Sequence, residues 1–278
     1  MNVRKTEKDA TLALFLSDAR ARVDRYVAAC LADRDGDGDD PGRLREAMRY
    51  ATQGGKRLRP ALVLASAHAL GASLDSALPA AAAVELLHAY TLVHDDLPAM
   101  DDDDERRGQP TVHVKFGEAN AILVGDALLT EAFFLLAELG DRAATAVRVL
   151  ARHAGARALL AGQAQDLSLS AADRRDPLAL DALFRRKTGA LFAAAAELGA
   201  VVAGAPADVQ AALGAYGMAI GVAFQHADDL ADGDHPDAAR AAEKTRELLA
   251  RARDHLAVLG GKALVLQELA SLVARGGV

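Results

Sequence analysis

Apolar positions recur with helical spacing along most of the chain. In the tail, Leu248, Leu249, Ala252 and Leu256 follow the i, i+1, i+4, i+8 order of one buried stripe, which predicts an amphipathic helix. Comparable patterns over 58–70, 84–97 and 120–139 predict three more helices, and no cleanly alternating strand competes with them. Prolines punctuate the sequence at 41, 60, 79, 98, 110, 177, 206 and 236, leaving the 66 residues between Pro110 and Pro177 free for long helices. No internal repeat or Pro/Ser-rich linker divides the chain, and 278 residues suffice for one large core. The expected fold is all-α, a single helical domain over residues 1–278.

Composition strengthens that expectation. Ala occurs 65 times, Ile twice, and aromatics make up only 4%, which favours helices over a sandwich or barrel. A net charge of −7 argues against nucleic acid as a partner, since a basic surface is needed to displace counterions from phosphates. The lone Cys30 cannot form an intrachain disulfide, the first twenty residues carry charge throughout, and no uninterrupted run of 18 apolar residues occurs. A cytoplasmic protein with no membrane span is therefore expected.

Acidic clusters bring in the chemistry. The stretch Asp33 to Gly42 has Asp33, Asp35, Asp37 and Gly38 where a calcium loop needs them, but Leu44 replaces the bidentate Glu, so it reads as an acidic connector without calcium. Asp95 and Asp96 end an apolar helical stretch, Pro98 marks a change of direction, and Asp101 to Asp104 follow. In "FQHADDLAD", Asp228 and Asp232 share one helix face with Asp229 alongside, at the end of the apolar run Met218 to Ala223. That run predicts a largely buried helix whose charges need partners. Two such clusters suit a shared divalent site, and oxygen-only ligands suit magnesium, which joins carboxylates to substrate phosphates. Lys56, Arg57 and Arg59, then Arg106 and Arg107, then Arg185, Arg186, Lys187 and Thr188 form basic groups able to hold a diphosphate. Gly54, Gly55 and Lys56 are not a nucleotide P-loop, because Tyr50 and Arg57 occupy positions that need glycine and a hydroxyl.

The motifs "GGKRLRP", "DDLPAMD", "RRGQPTVHVKFGEANAILVGDALLTEAF", "GQAQDL", "KTGALF", "FQHADD" and "DDLAD" occur in an order that resembles the trans-isoprenyl diphosphate synthases, also called polyprenyl synthetases. The block from His88 to Phe133 looks most like the bacterial farnesyl diphosphate synthases, and the resemblance runs from about Arg49 to Asp234. It implies a helical bundle around a central prenyl-chain cavity, and condensation of isopentenyl diphosphate with dimethylallyl or geranyl diphosphate through ionisation and carbocation addition. By the same resemblance, Asp95, Asp101 and Asp228 would hold magnesium, three ions with substrate bound, supported by Asp96, Asp229 and Asp232. Lys56, Arg59, His88 and Arg107 would hold isopentenyl diphosphate. Arg106, Lys187, Thr188 and Gln225 would serve the allylic partner. Asp95, Asp96, Asp101, Arg106, Lys187 and Asp228 form the implied catalytic set, and Gln163 and Asp166 have either site or packing roles. Tyr90, with Thr91 one turn before Asp95, would limit product length unless it is simply a core residue. A homodimer is also implied.

One departure stands out. The resemblance calls for a Lys-x-Thr segment after the second acidic motif, yet Gly233 and Asp234 run directly into "HPDAARAAEKTREL". Lys244 and Thr245 lack the required spacing. The trimmed segment keeps open a weakly catalytic prenyl-diphosphate-binding or heteromeric regulatory subunit, as well as a geranylgeranyl diphosphate synthase. A terpene cyclase is disfavoured because "DDLAD" replaces its Asn/Asp-x-x-Ser-x-x-x-Glu pattern.

Overall fold

A computed structural model describes residues 2–32, 39–170, 172–233 and 235–274, with side chains from residue 11 to 273. Most of the acidic connector, 33–38, lies outside the described residues, as does Asp234. Among the described residues thirteen α-helices carry the fold: α1 (Asn2–Cys30), α2 (Leu44–Ala51), α3 (Leu58–Ala69), α4 (Leu74–Asp95), α5 (Val112–Phe116), α6 (Glu118–Ala137), α7 (Ala143–Ala154), α8 (Leu159–Ser168), α9 (Pro177–Phe184), α10 (Ala190–Val202), α11 (Ala207–Asp232), α12 (Ala238–His255) and α13 (Leu264–Ala274). The all-α expectation holds. A two-residue antiparallel pairing, Glu105–Arg106 with Gln109–Pro110, forms the one small sheet among the described residues. The span between Pro110 and Pro177 divides into four helices, and Pro79 sits inside α4, where it removes one backbone donor without ending the helix.

The centre is built from small residues. All 13 residues of α10 are buried, and α4 is apolar on every side, as a helix surrounded by others must be. Ser73 caps α4 by accepting the Ser76 N–H at 3.1 Å. Helices α3, α4, α7 and α11 pack around α10, and buried apolar side chains from Leu12 to Val273 join one core. The predicted tail stripe of Leu248, Leu249, Ala252 and Leu256 is buried within it. By length and composition alone, α4, α6, α11 and the α12–α13 stretch could cross a membrane, so composition does not itself establish the expected lack of a span. In α4, 67% of the apolar window is covered by the other helices.

A buried ion pair fixes the start of α3. Arg57 adopts a left-handed backbone (φ 53°) just before the helix, while its guanidinium reaches Glu85 on α4, Asp24 on α1 at 2.7 Å and the Thr52 carbonyl at 2.5 Å. Both Arg57 and Glu85 are buried, so neither has water as a substitute partner. Glu85→Gln is expected to cost roughly 2 kcal/mol, read as a lower urea midpoint with an unchanged slope.

Helix α11 corrects one expectation. Its buried residues run from Leu213 to Ala223 and include His226, but Asp228 and Asp232 are exposed. At 26 residues it is about 39 Å long, and its last turns run past the core. Gly233 closes it in the left-handed conformation (φ 79°) and α12 starts at Ala238, so the connection is as short as the sequence indicates.

Candidate active site

The first acidic motif sits where α4 stops. The chain folds back at once, with the Asp101 N–H donating to the Asp95 carbonyl at 2.8 Å and that of Met100 to Leu97 at 2.8 Å. Asp95 lines a cavity, Asp101 is exposed and does not line it, and Asp96 turns the other way. Asp96 is 3% exposed and accepts from Arg106 Nε at 2.7 Å and Nη2 at 2.5 Å. Asp96 thus anchors Arg106, where the sequence reading gave it to metal and Arg106 to the allylic substrate. A buried carboxylate beside a guanidinium fork takes that pairing first. The pair holds the hairpin whose turn residues, Arg107 and Gly108, both have positive φ (55° and 74°), and the turn aims Arg107 at Gly55. A Cβ on Gly55 would lie 2.8 Å from the Arg107 guanidinium, so only glycine admits this approach.

Three cavities share walls. The first, about 380 Å³, has Asp95, Arg59, His88, Lys187 and Thr188 at its polar end and Leu92, Leu97, Leu159 and Leu191 along its apolar sides. Tyr90 and Thr91 line it too, Tyr90 with its ring edge-on to His94 and Thr91 with its hydroxyl donated to the His88 carbonyl at 2.8 Å. The second, about 180 Å³, joins it through Arg59 and His88 and adds Lys56, Arg107 and Phe224. Through Lys187 and Thr188 the first also joins a third, about 370 Å³, lined by Asp166, Arg174, Gln225 and Asp229. Asp228 and Asp232 border a further hollow that shares Lys56 and Phe224 with the second cavity, so Asp95 and these two carboxylates line adjoining cavities rather than one.

Electrostatics follows burial. Desolvation, with Asp101 and Asp96 nearby, lifts the Asp95 carboxyl from 3.8 to about 6 against the pull of Lys187 and Arg106. Asp228, although exposed, is also lifted by partial desolvation and by Asp232, against the pull of Lys56. Burial and the neighbouring Arg107 lower Arg59 to about 10, still charged at neutral pH. Burial and Arg59 hold His88 well below 6.5, so its neutral ring accepts from Arg59 Nη1 at 3.2 Å and orients it. Carboxylates held above their usual range are those an added cation would relieve. Among the described residues no three His, Cys, Asp or Glu side chains converge on one point. The oxygen donors of Asp95, Asp101 and Asp228 fit magnesium on the condition that phosphate oxygens complete its shell.

The basic turn after α9 is a π-helical turn, Arg185–Gly189, which re-aims Lys187 and Thr188 toward the cavities. Thr188 donates to Gln225 Oε1 at 2.8 Å, and Gln225 Nε2 donates to Asp229 Oδ1 at 2.6 Å. Gln163 is buried on the first cavity, and its Nε2 has no protein partner. Burial would raise the Asp166 pKa, but Lys187 and Arg174 hold it low. Arg174 escaped the sequence reading because an Arg pair in a polar turn, Arg174 and Arg175, carries no periodic or motif signal.

His226, His235 and Lys244 lie around the shortened connection. His235 Nδ1 accepts the Asp237 N–H at 3.1 Å, which places its proton on Nε2 for His226 Nδ1 at 3.2 Å, and His226 Nε2–H then meets Asp181 at 3.2 Å. Lys244 pairs with the same Asp181 at 3.4 Å and with Glu247 at 3.3 Å. These groups fasten the short connection to α9.

Similarity to known proteins agrees with this geometry. The polyprenyl synthetase family model matches residues 41–241. A farnesyl diphosphate synthase of Escherichia coli is 51% identical over 196 residues, 67% of this chain and 65% of that enzyme. A geranylgeranyl diphosphate synthase of Methanosarcina mazei is 43% identical over 201 residues, 71% of this chain and 61% of its own length. The matches to these two relatives thus span less than two thirds of their lengths. The crystal structure of an FPP/GFPP synthase from Zymomonas mobilis superposes with a TM-score of 0.86 at 37% identity, covering 95% of this chain and 99% of that one.

Proposed function

Since the chain belongs to the polyprenyl synthetase family, we propose that it is a short-chain trans-prenyltransferase, with residues 1–278 acting as one domain. It would condense isopentenyl diphosphate with dimethylallyl or geranyl diphosphate to give farnesyl diphosphate. The observation that carries this reading is the first cavity, where Asp95, Lys187 and Thr188 stand at the mouth of an apolar well. Lys187 and Thr188 bind the allylic diphosphate, and Gln225 holds the Thr188 hydroxyl in place. Arg59, oriented by His88, and Lys56 and Arg107 around the second cavity bind isopentenyl diphosphate. Magnesium on Asp95, Asp101 and Asp228, three ions with substrate bound, would neutralise charge developing on the departing diphosphate. Leu92, Leu97 and Leu191 keep water from the allylic cation until the isopentenyl double bond attacks, and the released diphosphate takes the proton.

A homodimer fits the stripe on α6, where Ile122, Leu123 and Phe134 are about half exposed. Cytoplasmic location is part of the same proposal. Incubation with magnesium, isopentenyl diphosphate and geranyl diphosphate, followed by phosphatase and product identification, is expected to show farnesol. A folded protein yielding no elongated alcohol would favour the regulatory-subunit reading. Tyr90 is 7% exposed and bounds the well. Tyr90→Ala is therefore expected to shift product toward twenty carbons, and an unchanged distribution would make Tyr90 a core residue only.

A further inference from the structure

Asp166 on α8 stands between two cations. Lys187 Nζ donates to its Oδ2 at 2.5 Å, while Arg174 Nη2 donates to its backbone carbonyl at 2.8 Å and Nη1 lies 2.8 Å from Oδ1. Oδ1 nevertheless receives no well-directed hydrogen bond. The Arg174 guanidinium engages Asp166 with two of its five N–H groups at most, so it keeps donors to spare, and its side chain is 50% exposed. Both cations line the third cavity, opposite Thr188, Gln225 and Asp229. One negative charge between two positive ones leaves that wall positive.

Side-chain and backbone hydrogen bonds tie Arg174 to its neighbours. Ser170 and Asp173 clamp each other, with Ser170 Oγ donating to Asp173 Oδ2 at 2.6 Å and the Asp173 N–H returning to Ser170 Oγ at 3.2 Å. The Arg174 N–H donates to the Ser170 carbonyl at 3.1 Å. Three residues later Pro177 opens α9, capped by the Asp176 side chain on the Leu178 N–H at 3.0 Å. A guanidinium held on such a turn has lost little freedom still to be given up on binding.

We propose that Arg174 is a substrate-positioning residue that binds the allylic diphosphate together with Lys187, with Asp166 spacing the two cations. A planar fork suits two phosphate oxygens, and the cavity is open enough to admit them. The inference rests on the prenyltransfer reading and adds a cation that none of the sequence motifs contains. It also supplies positive charge on the side where Lys244 is committed to Asp181.

Arg174→Gln and Arg174→Lys test it by steady-state kinetics with geranyl and isopentenyl diphosphate at saturating magnesium. Arg174→Gln is expected to raise KM for geranyl diphosphate about tenfold, the loss of one charge-assisted hydrogen bond. KM for isopentenyl diphosphate should stay within about twofold, and Arg174→Lys should recover part of the loss, because charge without the fork remains. Melting curves of both variants report whether the turn stays folded. An unchanged geranyl KM in Arg174→Gln, or equal rises in both KM values, would overturn the inference. Calorimetric titration with a non-ionising thio analogue of geranyl diphosphate separates it from the prenyltransfer reading. Arg174-dependent binding by a protein that forms no product keeps the inference and removes that reading, whereas turnover with Arg174-independent binding does the reverse. A folded parent chain that neither turns over nor binds the analogue would overturn both.

Discussion

Asp95→Asn is expected to lower turnover at least about a hundredfold while making the substrate-free, metal-free protein more stable at pH 7. The loss in rate comes from removing charge where the leaving diphosphate must be stabilised, a kind of change that costs about 100- to 1,000-fold in other enzymes. The gain in stability has an independent origin. Burial beside Asp101 and Asp96 lifts this carboxyl from 3.8 to about 6, so between those pH values the native chain keeps a proton that the unfolded chain releases. Stability therefore falls as pH rises through that window, and the full penalty remains above pH 6. Asn carries no charge, so the variant's advantage should appear in thermal scans at pH 7 and vanish near pH 4. A variant with a rate within tenfold of the parent would remove Asp95 from the reacting end of the cavity. A variant melting below the parent at pH 7 would contradict the cost assigned to its burial.

That trade-off marks the boundary of what the sequence reveals. The helices over 58–70 and 120–139 and the tail stripe were legible, because apolar period is a local property and the structure places α3, α6 and α12 there. Motif order singled out Asp95, Lys187, Thr188 and Gln225, and in the structure Asp95 lines the first cavity, Gln225 the third, and Lys187 and Thr188 both. What escaped was the pairing of charges across long separations. Nothing local tells Asp95 from Asp96, yet the helix end exposes one to the cavity and turns the other onto Arg106. Arg57 and Arg59 are two residues apart in one motif, but the left-handed turn at Arg57 sends its guanidinium into the core while Arg59 lies over the Phe192 ring at 4.7 Å. The apolar run likewise misled at the end of α11, because burial of Leu213 to Ala223 does not extend to Asp228 and Asp232 in the last turns.

The same limit applies to glycine, where composition gave a count and the structure gives a reason. Gly217→Val is expected to destabilise the protein by roughly 3 kcal/mol or more, lowering the melting temperature by about 6–12 °C. A Cβ on Gly217 would lie 2.3 Å from the Phe192 carbonyl oxygen, and one on Gly221 would lie 2.8 Å from the Phe192 Cβ. Backbone cannot move aside as a flexible side chain can, so α10 and α11 would have to separate. That separation reaches the site, because Phe192 supports Arg59 on one side and packs against Phe224 at 5.7 Å on the other, while Thr188 on the turn before α10 bonds Gln225 on α11. KM for both diphosphates should therefore rise in any fraction that stays folded. Gly261→Ala is the control, since a Cβ there has nothing within 4 Å and should leave the melting temperature unchanged. If Gly217→Val melted with that control, the helices would not approach at this point, and the close packing that alanine and glycine permit would need another origin.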